Sequence, residues 1–89
     1  MTKGPDPSVF VRLFGRYLRE NGLPVTPQRE AVAVTVFGSD EHLSVEEILD
    51  LLRSEGIGAG KATVYRTLEL LVKSELVAEH DFGEGFRSE

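Results

Sequence analysis

The run Lys61-Ala62-Thr63-Val64-Tyr65-Arg66-Thr67-Leu68-Glu69-Leu70-Leu71-Val72-Lys73 constrains this chain more than any other stretch. Val64, Leu68, Leu71 and Val72 fall at i, i+4, i+7 and i+8, the spacing of a helix with one buried stripe. Lys61, Thr63, Tyr65, Arg66 and Lys73 lie off that stripe. A tyrosine beside an arginine near a helix N-terminus suits a helix set into a DNA groove. It also suits a surface helix whose tyrosine folds back onto its neighbours, and the remaining residues have to decide between the two.

The residues just upstream supply a partner helix. Ser44-Val45-Glu46-Glu47 has the pattern of a capping box, in which Ser44 and Glu47 each satisfy a backbone N–H at the helix start. Val45, Ile48, Leu49, Leu51 and Leu52 form its apolar side, Ser54-Glu55-Gly56 stops it, and Ile57-Gly58-Ala59-Gly60 is a flexible turn. Two helices joined in this way make a helix-turn-helix, whose second member reads DNA. Nearer the N-terminus, Asp6-Pro7-Ser8 opens a first helix with Val9, Phe10, Leu13, Phe14, Tyr17 and Leu18 at helical spacing. Asn21-Gly22 provides its left-handed stop. Arg12, Arg16 and Arg19 share its other face, either solvated or turned toward DNA. Thr26 then caps, and Pro27 begins, a helix that carries Val32, Val36 and Phe37 inward and ends at Gly38.

Beyond Ser74, Leu76-Val77-Ala78-Glu79-His80 shifts toward extended structure. Phe82-Gly83-Glu84-Gly85-Phe86 places a glycine turn between aromatics, a hairpin signal. The expected fold is mainly α with a small β-hairpin: a winged helix-turn-helix of about four helices, its wing truncated at the C-terminus. Residues 1–89 form a single domain with room for one modest core.

Several function classes are excluded by what the chain lacks. With no cysteine there is no disulfide framework, thiolate zinc site or cysteine nucleophile. No paired carboxylates or Ser/His/Asp pattern stand in a recognisable motif, and Gly56, Gly58 and Gly60 lack the Lys-Ser/Thr of a P-loop, so an enzyme is not expected. No apolar run approaches the roughly 20 residues of a membrane span, and the N-terminus has no signal-peptide core, so a cytoplasmic location without a membrane partner is expected. The net charge of −5 runs against a nucleic-acid partner, yet its distribution does not. Residues 1–37 carry +2 and residues 61–73 carry +2, while residues 38–60 carry −5 and residues 74–89 carry −4. Such a domain should bind DNA weakly alone and lean on specific contacts or dimerisation. A winged helix used only for protein–protein contact is the alternative; the exposed set Thr63, Tyr65 and Arg66 favours DNA.

Three segments in order, Thr26-Pro27-Gln28-Arg29, His42-Leu43-Ser44-Val45-Glu46-Glu47-Ile48 and Ala62-Thr63-Val64-Tyr65-Arg66-Thr67-Leu68, resemble the ferric uptake regulator (Fur) family from about Gly22 to Gly85. The resemblance implies the N-terminal DNA-binding domain of a metal- or redox-responsive transcription regulator, commonly a repressor. The family's C-terminal half, absent from these residues, supplies the dimer interface, the regulatory metal site (iron, zinc, manganese or nickel) and in many members a structural zinc. No cofactor is expected in the 89 residues themselves. The implied partner is double-stranded DNA with an A·T-rich palindromic operator, bound by a homodimer. By position, Tyr65 would touch a thymine methyl group, Arg66 a base edge or a phosphate, and Thr63 with the amides around Ala62 a phosphate. Arg29 and Lys61 would add backbone contacts. Many relatives carry a lysine where this chain has Pro24, which puts minor-groove contact by that residue in doubt. His42 matches a histidine that ligates the regulatory metal in several members, although a lone loop histidine is more often simply solvated. Glu89 is a further candidate from the wing, and His80 reads as a strand residue.

Overall fold

The structure, a computed structural model, describes residues 7–39 and 43–77. Four helices follow in the expected order: α1 (Pro7–Glu20), α2 (Pro27–Phe37), α3 (Val45–Ser54) and α4 (Lys61–Lys73). Local chemistry sets their ends. Both α1 and α3 stop at a glycine with positive φ, 70° at Gly22 and 76° at Gly56. The next residue's N–H then reaches back to the helix, Leu23 to the Leu18 carbonyl at 2.8 Å and Ile57 to the Leu52 carbonyl at 2.9 Å. Glycine takes this left-handed conformation without the Cβ penalty that other residues meet. Leu23 and Ile57 pack against the core, which locks each turn.

Ser44 caps α3 as anticipated. The Glu47 N–H donates to Ser44 Oγ at 3.1 Å, and the Ser44 N–H donates to Glu47 Oε1 at 2.9 Å. Replacing Ser44 by alanine orphans one of these donors, and urea titration should show a loss of about 1 kcal/mol in stability. A loss below roughly 0.3 kcal/mol would mean that water replaces the serine at little cost.

The helices close around one core, with α2 at its centre in contact with α1, α3 and α4. Phe14 and Leu18 enter it from α1, Val32 and Ala33 from α2, Val45, Ile48, Leu49 and Leu52 from α3, and Val64, Leu68, Leu70 and Leu71 from α4. Neighbours on three sides explain why α2 is dense in valine and alanine yet has no sharp apolar stripe. Its Val36 and Phe37 are only half-buried, and Phe37 stacks on Phe10 with ring centroids 5.3 Å apart.

Four expectations are corrected by the structure. Leu51, assigned to the apolar side of α3, is 42% exposed. Val9 and Leu13 likewise stand largely outside the core. On α4 the buried arc is wider than the four-residue stripe, since Thr67 and Leu70 are buried while Val72 is half-buried. Thr67 enters without an unsatisfied hydroxyl because its Oγ donates to the Thr63 carbonyl at 2.7 Å. Leu76 and Val77 form a bend packed against the core rather than the start of a strand. The hairpin expected at Phe82–Phe86 lies outside the described residues.

Candidate nucleic-acid interface

The start of α4 is chemically open. Gly60 is the N-cap, in an extended conformation, and no side chain caps the helix. The Val64 N–H is the first to bond back, to the Gly60 carbonyl at 3.1 Å. The amides of Lys61, Ala62 and Thr63 therefore have no acceptor within the helix. At α2 the corresponding donors are mostly consumed: Pro27 has none, and the Arg29 N–H donates to Thr26 Oγ1 at 3.1 Å.

Both helix starts line one open groove of about 440 Å³. Pro24, Thr26, Gln28 and Arg29 form one wall, and Gly58, Ala59, Gly60, Ala62, Thr63 and Arg66 form the other. None of these residues is acidic. Two helix N-termini, each equivalent to about half a positive charge, and two guanidinium groups meet there. The groove is thus electropositive in a chain of net charge −5, and it suits an anion such as a phosphate. A Cβ built on Gly58 or Gly60 would meet no protein atom within 4 Å, so the fold itself leaves these positions open.

The predicted site residues are placed unequally around this groove. Ala62, Thr63, Arg66 and Arg29 all line it. Arg29 is steadied there by a hydrogen bond from Nη1 to the Pro24 carbonyl at 2.8 Å. A guanidinium therefore stands against Pro24. Tyr65 is not a lining residue; it is half-buried and packs against the core, so its ring is anchored rather than wholly outside the buried stripe. Lys61 is also outside the groove wall, because its Nζ lies 2.9 Å from Glu46 Oε2 on α3. That hydrogen-bonded pair holds the Glu46 carboxyl below the usual carboxylate range and Lys61 above its ordinary value. Of the α1 arginines, Arg16 is engaged by Glu20 at 3.0 Å.

Pro24, Thr26, Gln28 and the three residues Gly58–Gly60 join the groove without having been singled out as contacts. Their sequence signal was present but local: a Thr-Pro helix start and a glycine-rich turn, about 30 positions apart, with nothing to say that they meet. His42, His80 and Glu89 lie outside the described residues. Among the described residues no group of three His, Asp or Glu side chains is placed to hold a metal. No helix there is long and apolar enough to cross a membrane.

Comparison with known proteins identifies the lineage. The model of the ferric uptake regulator family matches residues 20–88. The ferric uptake regulation protein of Bacillus subtilis is 41% identical over 71 residues, covering 79% of this chain and 48% of the relative. That of Campylobacter jejuni is 39% identical over 77 residues, covering 84% and 49%. That of Neisseria meningitidis serogroup B is 33% identical over 69 residues, covering 76% and 48%. The chain spans about half the length of these curated relatives. No solved structure matches it at a significant level. The match runs through α2, α3 and α4 and so includes both walls of the groove: this chain belongs to the ferric uptake regulator family.

Proposed function

We propose that this chain binds double-stranded DNA in a sequence-specific manner, as the N-terminal winged-helix domain of a metal-responsive transcription regulator. The observation that carries the proposal is the groove in which the uncapped start of α4, the start of α2, Arg29 and Arg66 converge without an acidic neighbour. A DNA phosphate in that groove would accept from the Ala62 and Thr63 amides and from one or both guanidinium groups. Phosphate contacts of this kind fix register without reading sequence. Arg66 lines the groove itself, which favours a phosphate over a base edge. Tyr65 stands outside it on an anchored ring, and contact with a thymine methyl in the major groove falls to this residue.

The same proposal assigns dimerisation and metal sensing to residues corresponding to the other half of the relatives' length. Two copies joined there would address the two halves of an A·T-rich palindrome, and the metal would set the separation of their DNA-binding domains. Alone, the 89-residue chain loses the tethering that raises the effective concentration of the second half-site.

Fluorescence anisotropy with an A·T-rich palindromic duplex and a scrambled duplex tests this, each titrated across salt concentrations. Binding should weaken linearly in log–log form, with a slope of about −0.9 per phosphate neutralised. Gly60→Asp should separate stability from function. Its extended backbone suits an aspartate cap, so stability should hold or rise by a few tenths of a kcal/mol. The new carboxylate occupies the phosphate groove, so affinity for both duplexes should fall at least about tenfold, as expected for loss of a charge-assisted contact. Unchanged DNA affinity in Gly60→Asp would rule the groove out as a phosphate site.

A further inference from the structure

The acids of α3 are divided among three tasks. Glu47 completes the capping box, Asp50 pairs with Arg53 at 3.1 Å, and Glu46 reaches across the helix-turn-helix to Lys61 at 2.9 Å. Lys61 sits between Gly60 and Ala62, both of which line the phosphate groove, yet it is not part of the groove wall. Both members of the pair are more than half exposed. An exposed ion pair adds little to folding stability, so its main consequence lies elsewhere.

We infer that Glu46 is an electrostatic damper on DNA affinity: its carboxylate holds the Lys61 ammonium away from the groove, which removes one sequence-independent phosphate contact from the binding face. This rests on the DNA-binding function proposed above. A lysine at the first position of a recognition helix strengthens binding to any duplex, because an ammonium meets phosphate as a point charge. With Lys61 engaged, the chain relies more heavily on the groove and on Tyr65. A nearby phosphate would have to displace a hydrogen-bonded carboxylate and approach its negative charge.

The test is a cycle on the full 89-residue chain with Glu46→Gln, Lys61→Gln and the double variant. Glu55→Gln serves as a control that removes the same charge from the exposed end of α3. Circular dichroism melts of each variant establish that the helices persist. Glu46→Gln should tighten binding to palindromic and scrambled duplexes alike by about two- to fivefold at low salt, and steepen the salt slope by up to about 0.9. Lys61→Gln alone should leave the slope unchanged, and in its background Glu46→Gln should gain no more than Glu55→Gln. The inference is overturned if Lys61→Gln alone flattens the slope by about 0.9, because the lysine would then already hold a phosphate. It is equally overturned if Glu46→Gln gains no more than Glu55→Gln in the otherwise unaltered chain. Absence of salt-dependent binding to either duplex in the unaltered chain is a different result, since it removes the DNA-binding function and the damper together.

Discussion

Leu68→Ala is expected to lower the unfolding free energy by about 2–5 kcal/mol, a large part of the roughly 5–10 kcal/mol that holds a domain of this size. Leu68 is fully buried on α4, in the same core cluster as Leu18, Val32 and Leu52 from the other three helices. Truncation removes several methyl and methylene groups and leaves a cavity that neighbours on α2 and α3 can fill only by moving. The same helix presents Tyr65 and Arg66, so any collapse toward the cavity shifts the proposed binding face as well. Leu51→Ala is the contrast: with 42% exposure it should fall within about 0.5 kcal/mol of the unaltered chain. Urea titration of both variants settles the comparison, and equal losses would contradict the burial pattern described for α3 and α4.

Helical spacing alone does not separate those two leucines. Leu51 lies next to Leu52 on an apolar arc broad enough to include it, and Leu68 falls on the narrower stripe of α4. What decides is which side of each helix is turned toward its neighbours, a property of the assembled fold. The same limit explains Thr67 and Leu70, left off the expected stripe and found buried once α4 packs against both α2 and α3. Thr67 is polar by composition, but its hydroxyl is satisfied one turn back at Thr63, so burial leaves no orphaned group.

Helix ends were far more legible. Thr26-Pro27, Ser44 with Glu47, Asn21-Gly22 and Gly56 act within about four residues, and each operates in the structure as its residue types require. Gly60 is the instructive exception: it is the N-cap of α4 but supplies no side-chain hydrogen bond, and the missing side chain leaves the groove accessible. Individual site residues could be read from the Thr-Pro-Gln-Arg and Ala-Thr-Val-Tyr-Arg segments, but their grouping could not. Arg29 and Arg66 meet at one groove although 37 positions separate them in the chain. Lys61 carries a charge suited to DNA, and only the packing of α3 on α4 brings Glu46 to it.

The meeting of Arg29 and Arg66 leads to the second large effect. Arg66→Ala should weaken binding to palindromic and scrambled DNA by similar amounts, about 1.5–3 kcal/mol, the scale of hydrogen bonds to charged groups. Its salt slope should become shallower by about 0.9 if one phosphate contact is lost. Arg29→Ala should act in the same direction, more modestly, because one of its donors is already committed to the Pro24 carbonyl. If the two guanidinium groups grip a single phosphate, their losses cannot be independent: the double variant should lose less than the sum of the single losses. Additive losses would assign them to separate phosphates. A loss confined to the palindromic duplex in Arg66→Ala would instead make Arg66 a reader of base edges. Arg66 is exposed, so a change in binding without a change in the thermal melt reports on the interface itself.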